Sequence, residues 1–312
     1  MRALITGITG FAGQYLAEHL VDCGDEVIGS TYQDVWSRDV ADAVRSQIPL
    51  FEWNLAQPLP AAARAQLEQF PVDWIFHLAA ISVPAECGAA EPSPLATAVN
   101  VAGTQAVLEL AATLRPSPRV LVVSSSHVYA PVSPPHLRVT EDAPLGPLGA
   151  YGVTKFRCET LCREAVERGL DVVVARSFQH AGPRQRAKFM VPEWVEQFVR
   201  PGQDPIRVVT LDSHNDLSDV RDVVRAYRAL LAQPHTRGAY NVGSGQSVRS
   251  GDVFALLEQL TGRHSGVIEL QPGRRQHPIA DISRITAHTA WTPHIPLRQT
   301  LIDTLADFQA RQ

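Results

Sequence analysis

The chain has 312 residues, long for one hydrophobic core, which calls for a large α/β domain or a domain carrying a smaller lobe. Hydrophobic residues at 45% and charged residues at 19% are globular values, and apolar runs such as Val120 to Val123 are far too short to span a membrane. Lys and Arg number 28 against 32 Asp and Glu, a net charge of −4 without a basic block, which argues against nucleic acid as a partner.

Cysteines are sparse, and Met1-Arg2 leads into a short apolar strand without a cleavage signal. Both features fit a reducing cytoplasm. Short apolar runs then alternate with segments of helical period, the rhythm of βαβ units. Strands are expected at Ala3–Thr6, Glu26–Ser30, Leu50–Trp53, Trp74–His77, Val120–Ser124 and Asp171–Ala175. Several are continuously apolar, as strands covered on both faces of a parallel sheet must be. Between the first two, Phe11, Tyr15, Leu16, His19, Leu20 and Cys23 recur at helical spacing, and Gly24 supplies a stop. After Arg176 the pattern changes. Gly182-Pro183, Pro192, Pro201-Gly202 and Pro205 interrupt it, leaving short strands at Ile206–Val209 and Ala239–Val242 and amphipathic helices at Asp252–Leu260 and Leu297–Phe308. The expected architecture is a doubly wound parallel sheet over 1–176, with returning segments at about 211–245, and a smaller C-terminal lobe within 177–312.

Directly after the first strand comes Gly7-Ile8-Thr9-Gly10-Phe11-Ala12-Gly13, a G-x-x-G-x-x-G turn that opens a helix. Glycines allow the tight turn and a close backbone approach to a pyrophosphate, and the helix N-terminus offers unpaired N–H groups. Strand, turn, helix and second strand all match the context that this fingerprint requires, so the turn is read as a dinucleotide site. The second strand ends in Gly29-Ser30-Thr31-Tyr32 rather than in the acid that usually holds the ribose of NAD. That tilts the cofactor slightly toward NADP, with Thr31 or Ser30 as a donor. Asp34 folding back onto the ribose, or plain strand-end roles for both hydroxyls, remain open.

Tyr151 and Lys155 lie four apart in Tyr-Gly-Val-Thr-Lys and share a helix face, while Ser124, Ser125 and Ser126 end an earlier strand. A free tyrosine titrates near pH 10, and a neighbouring ammonium favours its phenolate. Cys158 and Cys162, and later Met190 and Trp194, repeat a one-turn spacing and read as packing residues; no ligand set has metal spacing.

GITGFAG at 7–13, HLAA at 77–80, NVAGT at 100–104, SSSHVYA at 124–130, YGVTK at 151–155 and RSFQHAGP at 176–183 together resemble the extended short-chain dehydrogenase/reductases that act on nucleotide sugars. LDSHNDLSDVRDVVRAY and YNVGSGQSVR place the likeness nearest the branch of GDP-mannose 4,6-dehydratases and GDP-4-keto-6-deoxymannose reductases. The resemblance implies that Tyr151 exchanges a proton with the sugar oxygen at C4, that Lys155 binds the nicotinamide ribose and lowers the Tyr151 pKa, and that Ser125 bonds the same oxygen, with hydride passing between C4 and the nicotinamide. It further implies NAD(P) contacts from Gly7, Thr9, Gly10, Phe11, Ala12, Gly13, Thr31, Asn54, Leu55, Leu78, Ala79, Ala80, Phe178 and His180. Ser126 and His127 are accessory candidates, a nucleotide sugar is the expected substrate, and a homodimer the expected assembly.

The departures bear on the reaction. Dehydratases of this family carry Glu where the chain has His127, which reads as a wall residue or as a substitute base. The usual Phe-Asn pair is Phe178-Gln179, and the Arg of the family's Arg-Asp element is Asn215. Substrate contacts are expected from Ser82, Gln179, Arg184, Asn215, Arg274 and Arg275, with a solvated loop as the plain alternative for the basic residues. The leading expectation is a 4-keto-6-deoxyhexose nucleotide reductase. Alternatives are 4-epimerisation, 4,6-dehydration and a non-catalytic dinucleotide sensor.

Overall fold

A computed structural model describes residues 1–32, 36, 37 and 39–311; Asp34 lies outside the described residues. The main sheet contains β1 (Arg2–Thr6), β2 (Glu26–Thr31), β3 (Leu50–Glu52), β4 (Trp74–His77), β5 (Arg119–Ser125), β6 (Val172–Ser177) and β7 (Gly238–Val242). All pairs are parallel, in the order β7-β6-β5-β4-β1-β2-β3. Strand order reverses between β1 and β4, and a parallel sheet opens a ligand crevice beyond its strand ends at such a point.

Why the strands are apolar throughout is visible in where alternate residues go. Ala3 and Ile5 join a core with Tyr15, Leu16 and Leu20 of α1 (Phe11–Asp22). Leu4, between them, turns to the opposite core with Leu108 of α2 (Gly103–Thr113) and Cys162 of α3 (Ala150–Glu167). The stretch Pro94–Thr113 is long and apolar enough to cross a membrane by length and composition, but Val107, Leu108, Leu110 and Ala111 are buried in this second core.

A third core gathers Trp194, Val195 and Phe198 of α4 (Met190–Val199) with Leu217. After Leu217 the chain enters α5 (Val220–Ala232), whose Val223 and Tyr227 pack beside α1. Completing the third core are Val253, Phe254 and Leu257 of α6 (Ser250–Thr261) and Leu301, Leu305 and Phe308 of α7 (Leu297–Ala310). Asp219 ties the two parts together: its carboxylate accepts the Arg221 N–H at the start of α5 (2.8 Å) and the Thr300 hydroxyl of α7 (2.8 Å).

Beneath the ends of β5 and β6 lies a buried ion pair. The Arg176 guanidinium donates to both carboxylate oxygens of Glu159 (2.9 and 2.8 Å), and Ser124 Oγ donates to the same carboxylate at 2.6 Å. Arg176 also donates to Tyr129 Oη (3.1 Å) and the Glu141 carbonyl (2.7 Å), and the Tyr129 hydroxyl donates to Asn241 Oδ1 (2.6 Å). Removing one partner of such a pair leaves an uncompensated buried charge. Arg176→Met is therefore expected to cost about 3–5 kcal/mol in urea denaturation, and Glu159→Leu/Arg176→Met to recover part of that loss because no lone carboxylate remains.

Candidate active site

The turn after β1 is built by exclusion of side chains. Gly7 has φ +70, and a Cβ there would stand 2.8 Å from Ala79 Cα; a Cβ on Gly13 would lie 2.3 Å from the Gly7 carbonyl oxygen. Gly10 caps α1 in extended conformation with no side-chain hydrogen bond, so no cap occupies the helix's first N–H groups. Thr9 and Thr31 pair through their hydroxyls at 2.8 Å, and Gln14 donates to the Thr9 carbonyl (2.6 Å), fixing the turn against the end of β2. This cradle fits a dinucleotide pyrophosphate.

From the turn, a cavity of about 710 Å³ runs across the carboxyl ends of the strands. Gly7, Thr9, Gly10, Phe11, Ala12, Gly13, Thr31, Asn54, Leu55, Leu78, Ala79 and Ala80 line one part. Ser82, Ser125, Ser126, His127, Tyr151, Lys155, Phe178, Gln179 and His180 line the rest. Ser125 ends β5, whereas Tyr151 and Lys155 stand on the first turns of α3. Lys155 is buried and donates to the Val123 carbonyl (2.8 Å), which holds its ammonium 5.8 Å from the Tyr151 ring centroid. Ser125 Oγ is 3.1 Å from His127 Nδ1, and the His127 ring meets Tyr151 edge-on at 5.5 Å. The His127 ring is exposed along the cavity wall, yet the surrounding cleft and the neighbouring His277 push its pKa down to about 4. His180 stacks on Phe11 at 6.0 Å, and burial lowers its pKa as well.

Four of the expected substrate contacts lie elsewhere. Arg184 lies over the Tyr15 ring (3.9 Å) and forms a bidentate pair with Glu18 (3.1 and 2.7 Å), so its planar fork is already filled. Asn215 is buried, its amide donating to Ser213. Its neighbour Asp216 accepts from Ser244, Gly245 and Ala280 and anchors those loops. Arg274 and Arg275 are exposed outside the cavity, Arg275 donating to Gln271.

Other lining residues carry no sequence signal of their own: Ile81, Pro84, Leu95, Val99, Gln185, Phe189 and Val191; Leu217 and Tyr227 also line it, within the LDSHNDLSDVRDVVRAY segment, where nothing marks them as site residues. Met190, read as a packing residue, also borders the cavity, while Trp194 is in the lobe core. The Gln185 amide donates to the His180 carbonyl (3.2 Å), and its Oε1 is buried without a protein partner. Asn100 lies in a wide helical turn, Thr97–Ala102. Its side chain bonds both the N–H and the carbonyl of Ile81 (2.8 and 3.1 Å) and donates to Thr154 on α3 (3.1 Å), joining the segment after β4 to the helix of Tyr151.

A strand-end glycine cradle continuous with a Ser, Tyr and Lys cluster defines a class, and the model of the NAD dependent epimerase/dehydratase family matches residues 3–243. The chain belongs to that family, whose members are enzymes. Among similar proteins, the GDP-6-deoxy-D-mannose reductase of Pseudomonas aeruginosa is 26% identical over 99% of this chain and 98% of its own. The dTDP-glucose 4,6-dehydratase of Streptomyces griseus is 28% identical over 97% and 92%. Among solved structures, RMD of P. aeruginosa complexed with NADPH superposes with a TM-score of 0.82 at 25% identity, covering 100% of this chain and 99% of that one.

The contact at Gly13 gives a direct test of the cradle. Gly13→Ala forces the turn to open around a backbone oxygen, and NAD(P)H affinity should fall about tenfold or more in a fluorescence titration. Thermal unfolding of the same variant checks that the fold survives.

Proposed function

We propose that the chain reduces the 4-keto group of a nucleotide-linked 6-deoxyhexose, of the GDP-6-deoxymannose type, using NADPH or NADH. The observation that carries this reading is the convergence of Ser125, Tyr151 and Lys155 on the cavity that begins at the glycine cradle. The cofactor is held by the Gly7–Gly13 turn, Thr31, Asn54, Leu55 and the Leu78–Ala80 segment. When bound, it supplies hydride to the sugar carbon. Tyr151 gives its phenolic proton to the C4 oxygen, Ser125 hydrogen-bonds that oxygen, and Lys155 binds the ribose and orders the Tyr151 side of the pocket.

Dehydration needs a base for the C5 proton. Among the described lining residues there is no carboxylate; His127 is the nearest substitute, and an imidazole pushed down to about 4 is a weak base. Lys155 is the one cationic side chain among the same residues, which favours a sugar without a carboxylate. Epimerisation uses the same trio and is separated from reduction only by turnover. The proton-transfer trio itself speaks against a non-catalytic sensor. A homodimer in the cytoplasm completes the proposal, supported by the family resemblance and by cysteines that are all free thiols.

Incubation with a panel of nucleotide sugars, read by mass spectrometry, tests the reading. Gain of two hydrogens with oxidation of added NAD(P)H supports reduction; unchanged mass with an inverted centre, or loss of water, overturns it. Tyr151→Phe should lower turnover by roughly 10²–10⁴-fold while leaving cofactor binding nearly intact, because only the positioned proton is lost.

Cofactor choice follows from the end of β2. With the Thr9 and Thr31 hydroxyls there and no acid among the described residues that end β2, NADPH is expected to bind at least as tightly as NADH in parallel titrations. A strong NADH preference would assign the ribose to another group.

A further inference from the structure

His127 follows Ser125 in a single turn, Ser126–Val128, and touches the serine twice. Its backbone N–H points at Ser125 Oγ from 3.3 Å, and its Nδ1 lies 3.1 Å from the same atom. A serine hydroxyl has one proton to donate and two lone pairs to accept with. The backbone N–H takes one lone pair, so the state of Nδ1 decides what Ser125 offers a ligand. If Nδ1 is bare, it accepts the serine proton, and Ser125 can only accept from the substrate. If Nδ1 carries the imidazole proton, it fills the second lone pair, and the serine proton is left for the ligand.

A ketone oxygen is an acceptor only. Tyr151 and Ser125 can therefore both donate to it in just one of the two arrangements. We propose that His127 is a positioning residue which, as the Nδ1–H tautomer, commits Ser125 to donating its proton to the substrate's C4 oxygen. The proposal rests on the reading of this site as one that acts on a C4 carbonyl.

Three observations support it. The surrounding cleft and His277 lower the pKa of the ring, which favours the neutral imidazole with a single N–H to place. The edge-on contact with Tyr151, at 75° between ring planes, holds the imidazole beside both donors. Cavity exposure of the ring sets it where a ligand replaces water, and the chosen tautomer leaves Nε2 as an acceptor for a sugar hydroxyl. In this account the histidine at the position of the dehydratase glutamate is not a vestigial base. It converts the neighbouring serine from a group of either polarity into a fixed donor.

Two arms test the proposal. In the first, the full chain is labelled with ¹⁵N-histidine, loaded with NADPH and examined by two-bond ¹H–¹⁵N correlation at pH 7, with the His127 signals assigned by their loss in His127→Asn. The expected result is a protonated Nδ1 and a bare Nε2. The reverse pattern overturns the proposal whatever the enzyme turns over.

The second arm uses GDP-4-keto-6-deoxymannose as probe with His127→Asn and His127→Asp. These variants are equal in size and disturb packing equally, but Asn supplies an N–H near the position of Nδ1–H and the carboxylate of Asp supplies only acceptors. Asn should keep kcat within about tenfold of wild type, whereas Asp should lose about 10²-fold in kcat with little change in KM, as expected when a hydrogen-bond donor to a developing oxyanion is lost. Equal losses in the two variants would reduce His127 to packing and sink the proposal. If wild-type enzyme leaves the probe untouched, the reductase reading falls, and the tautomer still decides the proposal.

Discussion

The bidentate pair between Arg176 and Glu159 is the constraint on which the geometry of the candidate active site depends. Arg176 belongs to β6 and Glu159 to α3, one turn beyond Lys155, so the pair sets the depth at which α3 sits over the sheet. Ser124 adds the end of β5 to the same carboxylate, and Tyr129 and Asn241 extend the network to β7. Charges buried this completely cost several kcal/mol each to desolvate and persist only when fully partnered. Here the partners come from four different elements, β5, β6, β7 and α3, which the network joins to one another.

A second constraint works from the other side of the cavity. Gly7 and Ala79 approach so closely that the turn after β1 and the segment after β4 share one surface. Asn100 carries that order onward, clasping the backbone of Ile81 with its amide and reaching Thr154 beside Lys155. The cradle and the Ser125, Tyr151 and Lys155 cluster are thus two ends of one connected wall. The sheet provides its floor, and α4 and the Gln185 segment face it.

Much of the fold was legible because its signals are local. Apolar strands buried on both faces have a composition of their own, as Ala3, Leu4 and Ile5 show by dividing between two cores. Gly7 and Gly13 were legible because no side chain fits where they are, and Tyr151 with Lys155 because helical spacing puts them on one face. The lobe's side of the cavity was not, since Val191 and Leu217 come from distant segments and look like ordinary core residues in sequence. Met190 differs from Trp194 only in standing at the mouth of its helix. The basic residues show the opposite limit. A guanidinium free in sequence can be fully occupied in space, as Arg184 is by Glu18 and Tyr15.

Lys155 as the one cationic group among the described cavity residues has a consequence for how the site holds anions. On the proposed function, a dinucleotide and a nucleotide sugar would bring several phosphoryl charges into a space where the groups available to oppose them are chiefly N–H dipoles at the start of α1 and hydroxyls. Dipoles of this kind do not titrate, and they act over the first turn of a helix rather than across a Debye length. A cavity so lined would select phosphates by contact and shape more than by attraction at a distance, and its hold on them would vary little with the protonation state of its walls.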